Sequence, residues 1–183
     1  MLKKLTLAVA AIALSSTALA GGSIDVALSD QSIRAEHGAA RVGTGAYITV
    51  GGWYRQDAGS LISGGFHAID PTNQRPELIG GIGGKGFLFK VPEENTSVAV
   101  GLGGFVRYNP PQLNGVGAEV SAYYAPPVLA FGDLVDFFDV QARLTYLVLP
   151  QARLFVGYSD SRANYERERT LDSTVTIGFR VRY

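Results

Sequence analysis

Two histidines, His37 and His67, are the side chains best suited to move a proton near neutral pH. A serine hydrolase would need one of them beside a nucleophile and held by a carboxylate or amide. Ser63 precedes His67 by four residues. In a strand the two share a face but lie roughly 13 Å apart along it. His37 has Glu36 and Arg34 as sequence neighbours and no nucleophile beside them. Two histidines far apart, in a chain without cysteine, are also a poor metal set. Gly83-Gly84-Lys85-Gly86 has the look of a phosphate cradle, but a P-loop lysine is followed by Ser or Thr and a helix. Here Phe87-Leu88-Phe89 follows, which is strand sequence. The expectation is therefore no enzyme, no cofactor and no metal.

A different chemistry is written in charges at alternate positions. Arg55, Lys85, Arg107, Glu119, Asp139, Arg143, Arg180 and Arg182 each fall opposite an apolar face of their own segment. The last ten residues show the pattern best. Val175, Ile177, Phe179, Val181 and Tyr183 share one face; Thr176, Gly178, Arg180 and Arg182 share the other. A soluble sandwich strand can alternate in this way. A terminal strand of this pattern ending on an aromatic resembles the C-terminal signal read by the barrel-assembly machinery of the outer membrane.

The elements that must carry these charges are strands throughout. Ser23 to Ser29 and Ser32 to His37 read as a short first hairpin. Thr44 to Arg55 is a stronger strand, with Ile48, Val50 and Tyr54 opposite Tyr47, Thr49, Trp53 and Arg55. Leu61 to Ile69 has mixed faces, and Asp70 to Glu77 is a connection with two prolines. Leu78 to Lys90 is Gly-rich. The segments around Val98 to Tyr108, Val116 to Tyr124, Phe138 to Val148 and Leu154 to Tyr158 all alternate. No stretch has helical periodicity. Several strands run roughly 10 residues, the length a tilted strand needs to cross a bilayer core. Ala125 to Asp136 and Ser159 to Asp172 read as long loops, with the tight turn Pro150-Gln151 between them. Long external loops alternating with short periplasmic turns suit a membrane barrel. The expected fold is an all-β, closed antiparallel transmembrane β-barrel of about ten strands, or eight if the first hairpin is outside the wall.

The chain opens Met1-Leu2-Lys3-Lys4, runs apolar from Leu5 to Leu14, and closes a small polar region on Ala18-Leu19-Ala20. This predicts a cleaved signal peptide over 1–20 and a barrel over 21–183. The apolar run is too short for a spanning helix, which needs about 20 such residues. Without cysteine there is no lipoprotein anchor and no disulfide framework. Of 16 Lys and Arg, losing Lys3 and Lys4 leaves 14 basic against 16 acidic residues, which gives no reason to expect a nucleic-acid partner. The Asn95-Thr96-Ser97 sequon is read as accidental in such a chain.

If the apolar faces meet lipid, the eight charged residues named above line the lumen. Arginines there must pair with Glu119, Asp139 or backbone groups, because unpaired charge in a dry site is costly. Two readings stay open: a salt-bridged plug, and a narrow anion-leaning pore lined by Arg107, Arg143 and Arg180. Tyr47, Tyr54, Tyr108, Tyr124, Tyr146, Tyr158 and Tyr183 lie near strand ends or turns, as an interfacial girdle would.

Taken in order, Gly83-Gly84-Lys85-Gly86 with Phe87-Leu88-Phe89, Val98-Ala99-Val100-Gly101, Glu119 with Tyr123-Tyr124, Ala142-Arg143-Leu144 and Val156-Gly157-Tyr158 resemble the YfaZ family of bacterial outer-membrane proteins. The resemblance implies a Gram-negative outer-membrane barrel and brings no catalytic or ligand residues. The expected function is a structural or small-channel barrel with a polar, arginine-rich, largely plugged lumen. The alternatives are a passive pore for small anionic or polar solutes and an outer-membrane lipid-modifying enzyme. Expected partners are outer-membrane lipid, the assembly machinery and, for a pore, small solutes. A soluble periplasmic sandwich or lipocalin-like binder is the rival fold, with apolar and polar faces exchanged.

Overall fold

A computed structural model describes residues 21–41, 45–69, 77–165 and 167–183. The signal peptide expected over 1–20 and most of the Asp70 to Glu77 connection lie outside these residues. The alternating segments form β1 Gly22–Leu28, β2 Ser32–Arg41, β3 Ala46–Arg55, β4 Gly59–Ile69, β5 Leu78–Lys90 and β6 Ser97–Tyr108. They continue as β7 Val116–Ala125, β8 Ala130–Phe131, β9 Asp136–Leu149, β10 Ala152–Asn164 and β11 Glu168–Arg182. Two short 3-10 turns, Pro111–Leu113 and Pro127–Leu129, complete the elements, and no α-helix occurs among the described residues.

Ten strands close into a ring of antiparallel neighbours, β1 to β7 and then β9, β10 and β11, which pairs back with β1. The first hairpin belongs to the wall. β1 meets β11 from Ser23 opposite Arg182 to Leu28 opposite Ile177, and meets β2 on its other side. The count is thus ten and not eight. Closure leaves no long edge strand to recruit another chain. The start of β1 and the end of β11 lie at one end of the barrel, called here the terminal end, with the opposite end the far end.

One expected loop is not a loop. Ser159 to Asp172 forms the far halves of β10 and β11, joined across 165–167 only. The reason lies in its charges. Arg162 pairs with Asp160 and Glu168 on the outer surface, so the segment lacks apolar alternation while remaining strand. A register shift between Ser161 and Arg162 marks a bulge there. Long far-end and short terminal-end connections therefore hold for 126–135 and 150–151 but not generally, since 109–115 at the terminal end exceeds 165–167.

The outer face is apolar nearly all round. Ile82 is 75% exposed, Val175 62%, Ile177 64% and Phe66 60%. In β4 the parity that the sequence left open places Leu61, Ser63 and His67 inside and Ile62 and Phe66 outside. Inside, the far half holds a hydrophobic cluster that includes Trp53, Leu61, Phe87, Phe89, Tyr123, Leu134 and Phe137. The middle and terminal parts hold most of the inward charges, and Arg55 with Asp172 lies towards the far end.

The barrel interior as candidate functional site

Strand parity sets which side chains enter the lumen, and ring closure sets which of them meet. Arg107 on β6 lies opposite Glu119 on β7, which lies opposite Arg143 on β9. Asp25 on β1 lies opposite Arg180 on β11. These five close into one network across the lumen. Arg180 donates from Nε to Asp25 at 2.6 Å and from Nη2 to Glu119 at 2.9 Å, with a further short bond from Nη1 to Glu119. Arg143 donates to Asp25 at 3.1 Å and to Gln141 at 2.6 Å. Arg107 sits 3.7 Å from Glu119 and bonds the Tyr47 hydroxyl at 3.3 Å. Its guanidinium lies over the Phe105 ring at 4.6 Å, a stacking that lysine's compact ammonium would not reproduce.

Above this network Lys85 reaches Glu36 at 2.5 Å, with its ammonium 5.4 Å from the Tyr123 ring centre. Its neighbours across β4 and β6 are Gly65 and Gly101, so nothing on either flank obstructs the long stem. Asp139 accepts from Ser161 at 2.5 Å, Gln141 at 3.3 Å and Arg34 at 3.4 Å. Asp172 accepts from Ser159 at 2.8 Å and lies 3.6 Å from Arg55, which also donates to the Leu171 carbonyl at the far rim. Arg182, last residue of β11, is exposed at the terminal mouth.

Of the eight charges read from the sequence, the structure therefore joins Arg107, Glu119, Arg143 and Arg180 in one cluster. Lys85 and Asp139 belong to two adjoining ones, Arg55 stands at the far rim and Arg182 at the terminal mouth. Asp25, Arg34, Glu36 and Asp172 were missed, and they supply most of the counter-charges. The same alternation that exposed the others marks Asp25, Arg34 and Glu36. Asp172 was hidden by the loop assignment.

Among the central residues, Asp25, Glu36, Lys85, Arg107, Glu119, Arg143 and Arg180 surround a cavity of about 40 Å³. At about 10–15 Å³ per buried water this is room for roughly three. The far side of the charges is closed by rings: Phe137 packs edge-on against Phe87 at 4.8 Å and Phe89 at 4.6 Å. Leu134, from the connection before β9, enters that layer with 4% exposure. At the rim Tyr165 is buried as well, and burial pushes its phenol above the ordinary range, so it stays neutral.

The histidines are held by tyrosines. His67 is fully buried, with Nε2 2.8 Å from the Tyr123 hydroxyl. His37 lies on the outer face, with Nε2 2.6 Å from the Tyr183 hydroxyl. Ser63 and His67 both face inward, on the same strand. Of the tyrosines read as a girdle, Tyr54, Tyr108, Tyr124, Tyr146, Tyr158 and Tyr183 are exposed on the outer surface. Tyr47 is not: it faces inward, 7% exposed, because its parity follows Thr49 and Trp53.

Comparison with known proteins gives a family and a fold. A family described as "YfaZ precursor" matches residues 2–183. No curated protein sequence matches the chain. The crystal structure of the outer membrane protease OmpT from Escherichia coli superposes with a TM-score of 0.55 at 9% sequence identity, covering 91% of this chain and 94% of that one. At that identity the likeness is one of fold, an outer-membrane type of β-barrel.

Proposed function

The chain belongs to the YfaZ family, and from that premise we propose that it is an integral bacterial outer-membrane barrel of structural type, whose lumen is closed to solutes. The observation that carries this reading is the filling of the lumen by two barriers in series. One is the ion-paired layer around Arg180, Asp25 and Glu119. The other is the aromatic layer of Phe87, Phe89 and Phe137 capped by Leu134. A solute would have to break buried ion pairs and displace packed rings, and the cavity among the central charges holds only a few waters.

Insertion in a bilayer is supported by the outer face. Soluble monomers rarely expose contiguous apolar patches beyond a few hundred Å². Here exposed aliphatic or aromatic side chains occur on each of the ten wall strands, from Ile33 on β2 to several on most of the others. In this reading the terminal end faces the periplasm, after export by a signal peptide over 1–20. Val175, Ile177, Phe179 and Val181, all exposed on β11, with the exposed Tyr183 just after it, present the C-terminal signal to the assembly machinery.

The neighbour OmpT is named a protease, but this chain is better read as non-catalytic. Its buried His67 and its outer-face His37 both use Nε2 on a tyrosine. The test is passive permeation: liposomes carrying the folded protein are placed in isotonic solutions of small sugars and of small anions. A closed lumen gives no swelling beyond that of protein-free vesicles, whereas swelling graded by solute size would establish a pore.

A further inference from the structure

The inward-facing charges are unevenly distributed along the barrel. From the middle to the far end, Arg34, Arg55 and Lys85 are matched by Glu36, Asp139 and Asp172. Towards the terminal end, Arg107, Arg143, Arg153, Arg180 and Arg182 face only Asp25 and Glu119 among the described strand residues. Both carboxylates are spent on Arg107, Arg143 and Arg180. Arg153 and Arg182 form no ion pair with any described carboxylate.

Their placement makes this costly unless something else compensates. Arg153 on β10 lies directly opposite Arg180 on β11, and Arg182 is the next inward position beyond Arg180. Like charges directly opposite on neighbouring strands repel. The charges acting on Arg153 are Arg182 and Arg180, both repulsive, and Glu119. Arg153 is nevertheless half-buried. One terminal nitrogen, Nη1, lies 3.4 Å from the Gly115 carbonyl and 3.4 Å from the Thr145 hydroxyl, and its other donors have no partner among the described residues. Arg182 is anchored through its backbone N–H, which donates to the Gln151 carbonyl at 2.8 Å, and its side chain is exposed at the mouth.

We propose that Arg153 and Arg182 form an anion-binding vestibule at the terminal mouth, which takes a small soluble phosphate-bearing molecule. Two guanidinium forks with free donors match the oxygens of a phosphate group better than point charges would. The source is soluble and not a lipid headgroup, because both residues lie on the inward parity of β10 and β11, towards the barrel axis. Headgroups would contact the outward parity. Arg153 and Arg182 lie on the terminal side of Arg180 along the strands, so binding there is independent of whether the lumen conducts.

The test is calorimetric titration of inorganic phosphate into the purified protein in non-ionic detergent at low ionic strength, where screening is weakest. Folding is checked by the heat-dependent gel shift. One saturable site is expected. Arg153→Gln and Arg182→Gln should each weaken it by about ten-fold or more, as loss of one charge-assisted contact would, and the double variant should abolish it. Arg162→Gln, at the far end and on the outer face, should leave it unchanged. No saturable heat, or full binding in the folded double variant, would overturn the proposal. The lipid source is tested by comparing vesicles of phosphatidylcholine with vesicles containing phosphatidylglycerol. Loss of phosphate binding only in the anionic vesicles would assign the site to headgroups and overturn the soluble-anion reading.

Discussion

The Tyr123 hydroxyl on β7 meets His67 Nε2 on β4 at 2.8 Å although two strands, β5 and β6, lie between them. The positions that line up between the two residues are Gly83 and Gly103, so only backbone separates the rings' points of attachment. A Cβ on Gly83 would lie 2.1 Å from the Phe66 carbonyl oxygen, and one on Gly103 would lie 2.0 Å from that of Ala122. Gly83→Ala and Gly103→Ala are therefore expected to destabilise the barrel by about 1–3 kcal/mol, as overpacking does. His67→Phe should cost about 1–3 kcal/mol by leaving the Tyr123 hydroxyl unpaired in a buried site, and His67→Phe with Tyr123→Phe should recover part of it. Urea midpoints of refolded protein measure both effects.

Arg180 is the keystone of the charge layer, because among the described residues it alone bonds both Asp25 and Glu119. Arg180→Met would leave Asp25 with Arg143 alone and Glu119 with Arg107 alone, and breaking a buried pair from one side costs about 3–5 kcal/mol. Arg162→Gln removes an equally visible pair with Asp160 and Glu168, but on the exposed far rim. That variant should unfold at the wild-type midpoint. Equal losses in the two variants would contradict the assignment of the network as the structural centre.

The seam between the first and last strands carries a side-chain fastening. Gly22 and Tyr183 exchange backbone hydrogen bonds at 2.9 and 3.0 Å, and the Tyr183 ring passes over Gly22 to reach His37 on β2. A Cβ on Gly22 would lie 3.0 Å from that ring and its hydroxyl. Tyr183→Phe keeps an aromatic terminus and His37→Ala keeps the strand, yet each should lower the temperature of gel-shift loss, at about 0.5–1.5 kcal/mol per lost bond. The double variant should add little to either single one; full additivity would show that the contact is not energetically coupled.

Leu134 offers a separate handle on the far barrier. Trp53, the one tryptophan of the chain, sits in the same layer at 4% exposure. Leu134→Asp introduces a charge there without a partner, so the segment 126–135 should leave the lumen mouth. The expected result is a red shift of Trp53 emission and faster proteolysis within 126–135, with the gel shift retained. Unchanged emission would show that the layer closes without Leu134.

Much of this was legible from parity alone. Val175 to Tyr183 and Val98 to Tyr108 alternate cleanly because lipid and lumen make opposite demands on successive residues. That is why Arg107, Glu119, Arg143 and Arg180 could be placed on one surface. What parity omits is who faces whom. Asp25 meets Arg180 only because β1 closes on β11, and cross-lumen contacts depend on register and shear, which no local pattern states. The first hairpin was undervalued because it is short and weakly apolar, and with it went Asp25, Arg34 and Glu36. Asp172 was lost because charges on a strand rim look like a loop. Tyr47 was misplaced because nearness to a strand end was weighed above its parity.

Single-channel recording in a planar bilayer tests the closed lumen most directly, on protein shown by the gel shift to be folded. The expected record is silent, and it should stay silent in Leu134→Asp, because the Arg180 layer still closes the path. Discrete, anion-selective steps in the wild type, altered by Arg107→Glu or Arg143→Glu, would contradict the closed lumen and make these arginines the lining of a pore.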